Sequence, residues 1–233
     1  AASPEAKFTE EKVLWIKHHT PKLMTFAISR PESYRFSAGQ FSRLGFRDGE
    51  GFIWRAYSVV SAEYADTLEY FAVLIEGGPM SARFAAMKEG DTILLDKTAT
   101  GFLLPERFPD GKDLVMLCTG SGIAPFLSII EQPEIWQRFD RLILAHSVSF
   151  ADELIFRRRV EALKDHPLIG EYFHKFRFVP ITNAGFKFTK ADTRFMVCGN
   201  PAMVKDTFQA LMDLGFAMHR NRIPGHIMME NGF

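Results

Sequence analysis

The sequence predicts two domains: an antiparallel β-barrel followed by an α/β unit built on a parallel sheet. Three observations carry this. Before residue 97, six short runs rich in β-branched and aromatic residues are separated by Gly, Pro, Asp or Ser turns. After residue 113, apolar runs alternate with helical patterns. Between them, residues 105–113 are rich in Pro, Gly and charge, which marks a boundary. The division is therefore set at 1–105 and 106–233.

The barrel strands are expected at residues 13–18, 24–29, 40–46, 52–61, 68–75 and 92–96, with one short helix at 81–87. That many short strands in so few residues suggest a closed antiparallel barrel. In the second half, Leu114 to Cys118 is a continuous apolar run, as expected for a strand covered on both faces. Further strands are expected at 141–147, 177–181 and 195–198, and a helix at 152–163. Residues 201–214 form a clear helical pattern, because Met203, Val204, Phe208, Leu211 and Met212 recur at helical spacing and Gly215 follows as a stop.

Composition excludes several classes. The 28 Lys and Arg balance the 28 Asp and Glu, which argues against a nucleic-acid binder but leaves room for a local basic patch facing an acidic protein. Two cysteines, Cys118 and Cys198, cannot form a disulfide scaffold, so a reducing compartment is expected. Residues 1–9 lack the apolar run of a signal peptide, and no stretch approaches the ~20 apolar residues needed to span a bilayer. The expectation is a cytoplasmic monomer without stable membrane insertion. No Cys/His cluster has metal spacing.

Four segments carry chemistry. In Trp54-Arg55-Ala56-Tyr57-Ser58, strand alternation puts Arg55 and Tyr57 on one face, a guanidinium able to bind phosphate beside a ring able to stack on a planar ligand. Glu76-Gly77-Gly78-Pro79-Met80-Ser81-Ala82-Arg83-Phe84 opens a helix whose free N–H groups suit an anion, with Ser81 as a cap or phosphate donor. Thr119-Gly120-Ser121-Gly122-Ile123-Ala124-Pro125-Phe126 follows a strand and opens a helix, the position of a nucleotide pyrophosphate in a parallel sheet. Cys198-Gly199-Asn200-Pro201 again joins a strand end to a helix. By themselves these segments are equally compatible with an exposed strand, capped turns and a small buried cysteine.

Taken together they resemble the ferredoxin–NADP reductases, most closely the bacterial branch. RAYS at 55–58, GGPMSARF at 77–84, TGSGIAPF at 119–126 and CGNPAM at 198–203 stand at matching places, and Phe36-Ser37-Ala38-Gly39-Gln40-Phe41 matches an F-x-x-G-Q-F turn. The resemblance implies an oxidoreductase using FAD and NADP(H) and exchanging electrons with ferredoxin or flavodoxin. It implies that Arg55 contacts the FAD pyrophosphate, that Tyr57 packs on the flavin and that Ser58 lies at its reactive edge. Ala56, Val73, Leu74, Ile75, Met80, Ser81 and Ala82 would complete the cradle. Ser121 would lie near both cofactors. Thr119, Gly120, Gly122, Cys198, Gly199 and Asn200 would bind NADP, with Cys198 beside the nicotinamide. Glu230 is spaced from Phe233 as in the bacterial branch, implying a proton-carrying carboxyl and an aromatic cover for the flavin.

The pattern departs from the family at two places. Ser149 and Asn183 stand where arginines are usual, and a glycine- and arginine-containing stretch before Phe195 is shortened to residues 185–193. Lys187, Lys190 and Arg194 are the cations left for a 2′-phosphate, and each reads equally as surface charge. Rival readings are an oxygenase-type or free-flavin reductase and a non-catalytic nucleotide-binding module.

Overall fold

Branched and aromatic residues in short runs build the first sheet of the computed structural model, which describes residues 7–180 and 188–231. Its strands are β1 (Phe8–His18), β2 (Leu23–Ser29), β3 (Phe41–Asp48), β4 (Gly51–Ser58), β5 (Thr67–Val73) and β6 (Thr92–Asp96). They pair antiparallel in the order β4-β3-β6-β1-β2-β5. A bridge between Val59 and Tyr70, with Val60 N–H donating to the Glu69 carbonyl at 2.9 Å, joins the two edges and closes the barrel. Helix α1 (Pro79–Ala86) has Gly78 as its N-cap and Pro79 in its first turn, where the missing N–H costs no helical bond. It buries Met80 and Phe84, and the Phe84 ring meets Phe26, Phe46 and Tyr57 at 5.2, 5.8 and 5.3 Å.

β1 starts at Phe8 instead of Val13. Residues 8–12 pair with β6 and residues from Val13 onward with β2, with a register shift between Val13 and Trp15 in that second ladder. The charged Glu10, Glu11 and Lys12 mask the alternation there, although Glu11 is buried and accepts the Ser29 hydroxyl at 2.8 Å. β4 and β5 stop at Ser58 and Val73, short of the expected 61 and 75.

The second sheet contains β7 (Asp113–Thr119), β8 (Arg141–Ser147), β9 (Phe176–Pro180), β10 (Thr193–Gly199) and β11 (Ile227–Asn231), all parallel, in the order β11-β10-β7-β8-β9. Every residue of β10 is buried, as covering on both faces requires. Helices α2 (Ala124–Ile129), α3 (Pro133–Arg138), α4 (Arg157–Glu161) and α5 (Pro201–Asp213) lie in the connections. Asn200 caps α5, its Oδ1 accepting from Ala202 N–H at 2.9 Å.

The single helix expected at 152–163 is broken. A 3₁₀ turn at Ala151–Glu153 leaves helical geometry at Leu154 (ψ 49°), which sends Phe156 into the core before α4 begins. β11 has no local strand signature. It becomes a strand by adding to the edge of β10, from Phe195↔Ile227 to Gly199↔Asn231.

One apolar cluster spans the two sheets, beside a separate core in each. Leu23, Val60, Phe71 and Leu103 from the first part pack in the same apolar cluster as Leu114, Phe126, Trp136 and Leu144 from the second. Polar contacts reinforce it: Ser128 Oγ donates to the Ser61 carbonyl at 2.8 Å, and Arg159 Nη1 reaches both carboxylate oxygens of Glu69 at 2.7 and 2.6 Å. Arg159 also contacts Glu131 at 3.4 Å. Replacing Arg159 with Ala leaves two shielded carboxylates without their cation. We expect a loss of about 2–4 kcal/mol in unfolding free energy, read from urea denaturation, with Glu69→Gln losing less.

Candidate functional site

The parallel sheet has a topological switch point. From β7 the chain runs outward to β8 and β9, then returns to β10 on the other side of β7. The carboxyl ends of β7 and β10 diverge there, and crevices at such ends are where α/β sheets bind ligands. Thr119-Gly120 and Gly199-Asn200 occupy them. Thr119 Oγ1 accepts the Asn200 N–H at 2.9 Å across the gap. Gly122 and Gly199 are required by contact. A Cβ on Gly122 would sit 2.4 Å from the Cys198 carbonyl oxygen, and one on Gly199, at φ +146°, would sit 2.3 Å from Thr119 Oγ1. His146, buried on β8, places Nε2 2.9 Å from the Gly120 carbonyl oxygen. Burial lowers its pKa, so the neutral ring donates from Nε2.

Facing this crevice, the ends of β4 and β5 and the start of α1 complete a cleft of about 400 Å³. Arg55, Ala56, Tyr57 and Ser58, the last four residues of β4, all line it. Val73, Ile75, Met80 and Ser81 line it too, as do Ser121, Gly122, Cys198 and Glu230 from the second part. Leu74 and Ala82 instead line an adjoining groove with Pro21 and Lys22. Thr119, Gly120 and Asn200 line a third recess, of about 410 Å³, which shares Phe71 and Val73 with the cleft. Gly199 joins Cys198 in the cleft to Asn200 in the recess. Phe233, Asn183 and Lys187 lie outside the described residues.

Several cleft residues were not among the expected site residues. Gly78 and Pro79 sit inside the GGPMSARF segment and Asn231 follows Glu230, so proximity to the motifs could have found them. Phe71 is a buried mid-strand aromatic, indistinguishable in sequence from core.

The side chains have defined states. Arg55 Nη1 donates to the Trp54 carbonyl at 2.8 Å, leaving further N–H groups of an exposed guanidinium for an anion. Ser81 does not cap α1: its Oγ accepts the Ile75 N–H at 2.8 Å and fastens the turn, while its own proton remains a donor. Burial pushes the Tyr57 phenol up to about 12, against the opposing pull of Arg55, so it stays neutral. Cys198 and Glu230 are register partners on adjacent parallel strands and share a face. Burial raises the Cys198 thiol, and the Glu230 carboxylate raises it further, so it is a thiol rather than a thiolate. Burial also pushes the Glu230 carboxyl up to about 7.

Of the cations left for a 2′-phosphate, Arg194 is withdrawn. It is 3% exposed and binds Asp110 through Nε and Nη2 at 3.1 and 2.6 Å. Cys118 is fully buried, its Sγ 3.4 Å from the Ala145 carbonyl oxygen. Among the described residues, no group of His, Cys, Asp and Glu could hold a metal ion, and no helix is long and apolar enough to cross a membrane.

No family model matches the chain. Ferredoxin–NADP reductase A of Sorangium cellulosum is 34% identical over 251 residues, covering 97% of this chain and 90% of its own length. The flavodoxin/ferredoxin–NADP reductase of Rhodobacter capsulatus is 32% identical over 249 residues, covering 96% of this chain and 92% of its own. A crystal structure of a ferredoxin NADP+ reductase from Neisseria gonorrhoeae with bound FAD and NADP superposes with a TM-score of 0.90 at 69% identity, covering 98% of this chain and 100% of that one. With that identity over that length, and with the barrel and parallel sheet arranged as above, the chain belongs to the bacterial ferredoxin–NADP reductase family.

Proposed function

We propose that this chain is a flavin-dependent oxidoreductase that moves electrons between NADP(H) and ferredoxin or flavodoxin. One observation carries the reading: Ser58, Ser121, Cys198 and Glu230, from four separate segments, converge on the cleft between the barrel and the switch point. The division at 105/106 then gives a FAD-binding barrel and an NADP-binding α/β domain, with β11 returning to the cleft.

The cleft fits FAD in its donor set. An exposed guanidinium, a free serine proton and the first turn of α1 suit a pyrophosphate, and the Tyr57 ring suits a flavin face. The recess at Thr119, Gly120 and Asn200 suits a dinucleotide phosphate, where Gly122 and Gly199 keep the backbone open. Bound FAD supplies hydride exchange with the nicotinamide and single-electron transfer to the carrier.

This chain's residues orient and set charge. Arg55 anchors the anionic part of the cofactor. Tyr57, neutral over the physiological range, packs without adding charge. Ser58 and Ser121 supply hydroxyl groups from opposite walls. Cys198, as a neutral thiol, fills the space beside the nicotinamide position without introducing an anion. Glu230, titrating near neutrality, can hold or release a proton at its carboxyl oxygen at working pH.

The test is stopped-flow mixing of the purified protein with NADPH and with NADH. Bleaching of a bound yellow flavin by NADPH is expected; a colourless protein that does not take up FAD overturns the reading. Ferredoxin, flavodoxin and free FMN as acceptors separate the carrier reductase from a free-flavin reductase, which would reduce FMN alone.

Two variants follow. Arg55→Ala removes a charge-assisted contact and should weaken FAD binding by about 10- to 100-fold, measured by flavin fluorescence after dialysis. Glu230→Gln tests the raised carboxyl. The folded protein holds this proton more tightly than the unfolded chain, so Glu230 favours folding at acid pH, and that contribution falls as pH rises from about 4.5 through about 7. At equal flavin loading, the wild type should lose on the order of 2 kcal/mol more than Glu230→Gln between pH 4.5 and pH 8, read from urea midpoints.

A further inference from the structure

Among the described residues, the nucleotide recess has one charged side chain on its wall, and it is an acid. Thr119, Gly120 and Asn200 line one side of the recess, and Ser147, Ser149 and Glu153 line the other. Glu153 ends the 3₁₀ turn at Ala151–Glu153, which folds its side chain back onto the end of β8. Its Oε2 accepts the N–H groups of Ser149 and Phe150, each at 2.9 Å. Oε1 has no partner among the described residues, so one oxygen of an anchored carboxylate is left to accept from a ligand. Burial lowers the His146 pKa and the Glu153 charge acts against it, which puts that charge beside the strand end.

The sheet order says which part of a dinucleotide reaches this wall. Across the strand ends stand Glu230 on β11, Cys198 on β10, Thr119 on β7 and Ser147 on β8. With the nicotinamide at Cys198 and the phosphates at Thr119, the adenosine falls at the end of β8, against Glu153. Two cations that could meet a 2′-phosphate stand at the other end of the sheet. Arg194, the second residue of β10, is held by Asp110. Lys190 lies against Gly215, beyond the end of α5, where an added Cβ would sit 2.5 Å from its Nζ. Both are at the amino end of β10, about 20 Å along the strand from Asn200.

We infer that Glu153 reads the 2′ position of the adenosine ribose, so that this chain takes hydride from NADH as well as from NADPH. The inference rests on the reductase reading. An anchored carboxylate accepts a ribose 2′-hydroxyl, as the acid of an NAD-binding α/β site does. The same carboxylate opposes a 2′-phosphate, whereas an arginine in its place would bind it. Both effects act on one ribose, and together they lower the preference for NADPH without excluding it. Both nucleotides deliver the same hydride, so the flavin chemistry is unchanged.

The experiment follows flavin reduction in the FAD-loaded full chain by NADPH and by NADH, and scores the ratio of the two second-order rate constants. Both nucleotides should reduce the wild type, and the NADPH/NADH ratio should rise with ionic strength, because salt screens a repulsion. Glu153→Gln keeps an acceptor for the two N–H groups and removes the charge. It should raise the ratio by roughly 10-fold at low salt, with NADPH gaining and NADH losing. It should also bind adenosine 2′,5′-bisphosphate several-fold more tightly than the wild type in calorimetry. A turn clamp alone would move both nucleotides by the same factor, so an unchanged ratio in Glu153→Gln overturns the inference. A wild-type ratio that falls with salt marks cations at the 2′ position and overturns it without any variant. Reduction by NADPH alone also overturns it and leaves the reductase reading standing. If neither nucleotide bleaches the bound flavin, the reductase reading falls and takes the inference with it.

Discussion

Phe71 meets Phe156 edge to face at 5.1 Å, and the architecture of the site depends on that contact. Phe71 comes from the barrel strand β5, and Phe156 from the residue that caps α4. Their packing joins the two sheets into one apolar cluster, and Phe71 also lines both the cleft and the nucleotide recess. A core that interdigitates at crystal-like density does not deform gradually. The relative placement of the two walls is therefore set by packing, with Arg159 and Ser128 adding directional contacts at its edge.

The same burial sets the chemistry. Desolvation raises Tyr57, Cys198 and Glu230 together, so the cleft walls favour neutral side chains and Arg55 at the mouth is left to meet an anion. Of these groups only Glu230 is brought near neutrality, because its reference value lies far enough below that burial lifts it there. Cys198 and Glu230 face each other in register across β10 and β11, and the Glu230 carboxylate adds to burial in keeping the thiol protonated.

Much of this was legible locally. The strand–turn–helix joints at Thr119 and Cys198 follow from glycine placement, apolar runs and helix-compatible prolines, and they lie where the sheet switches direction. The α5 helix formed where the periodicity placed it, with Val204 and Leu211 buried and Met203 and Phe208 packed beside them, while Met212 is left exposed at the end of the stripe. Other parts were not legible. β1 was hidden by Glu10, Glu11 and Lys12, whose pairing partner β6 is distant in sequence. The helix expected at 152–163 was interrupted because Phe156 gains more from the core than from helical continuity. Ser81 reads as a cap, yet its hydroxyl serves the turn before the helix.

The sequence by itself determined the two sheet types, the order of most of their strands and the short segments that carry the cofactor chemistry, because each depends on the spacing of a few neighbouring residues. It also determined the family, through motifs spread along the chain. Only the tertiary structure decided that β11 is a strand, that Arg194 is spent on Asp110, that Phe71 belongs to the cleft, and that Glu153 lines the nucleotide recess. Each of those depends on which distant segment packs alongside, and that is settled by burial and long-range pairing rather than by local pattern.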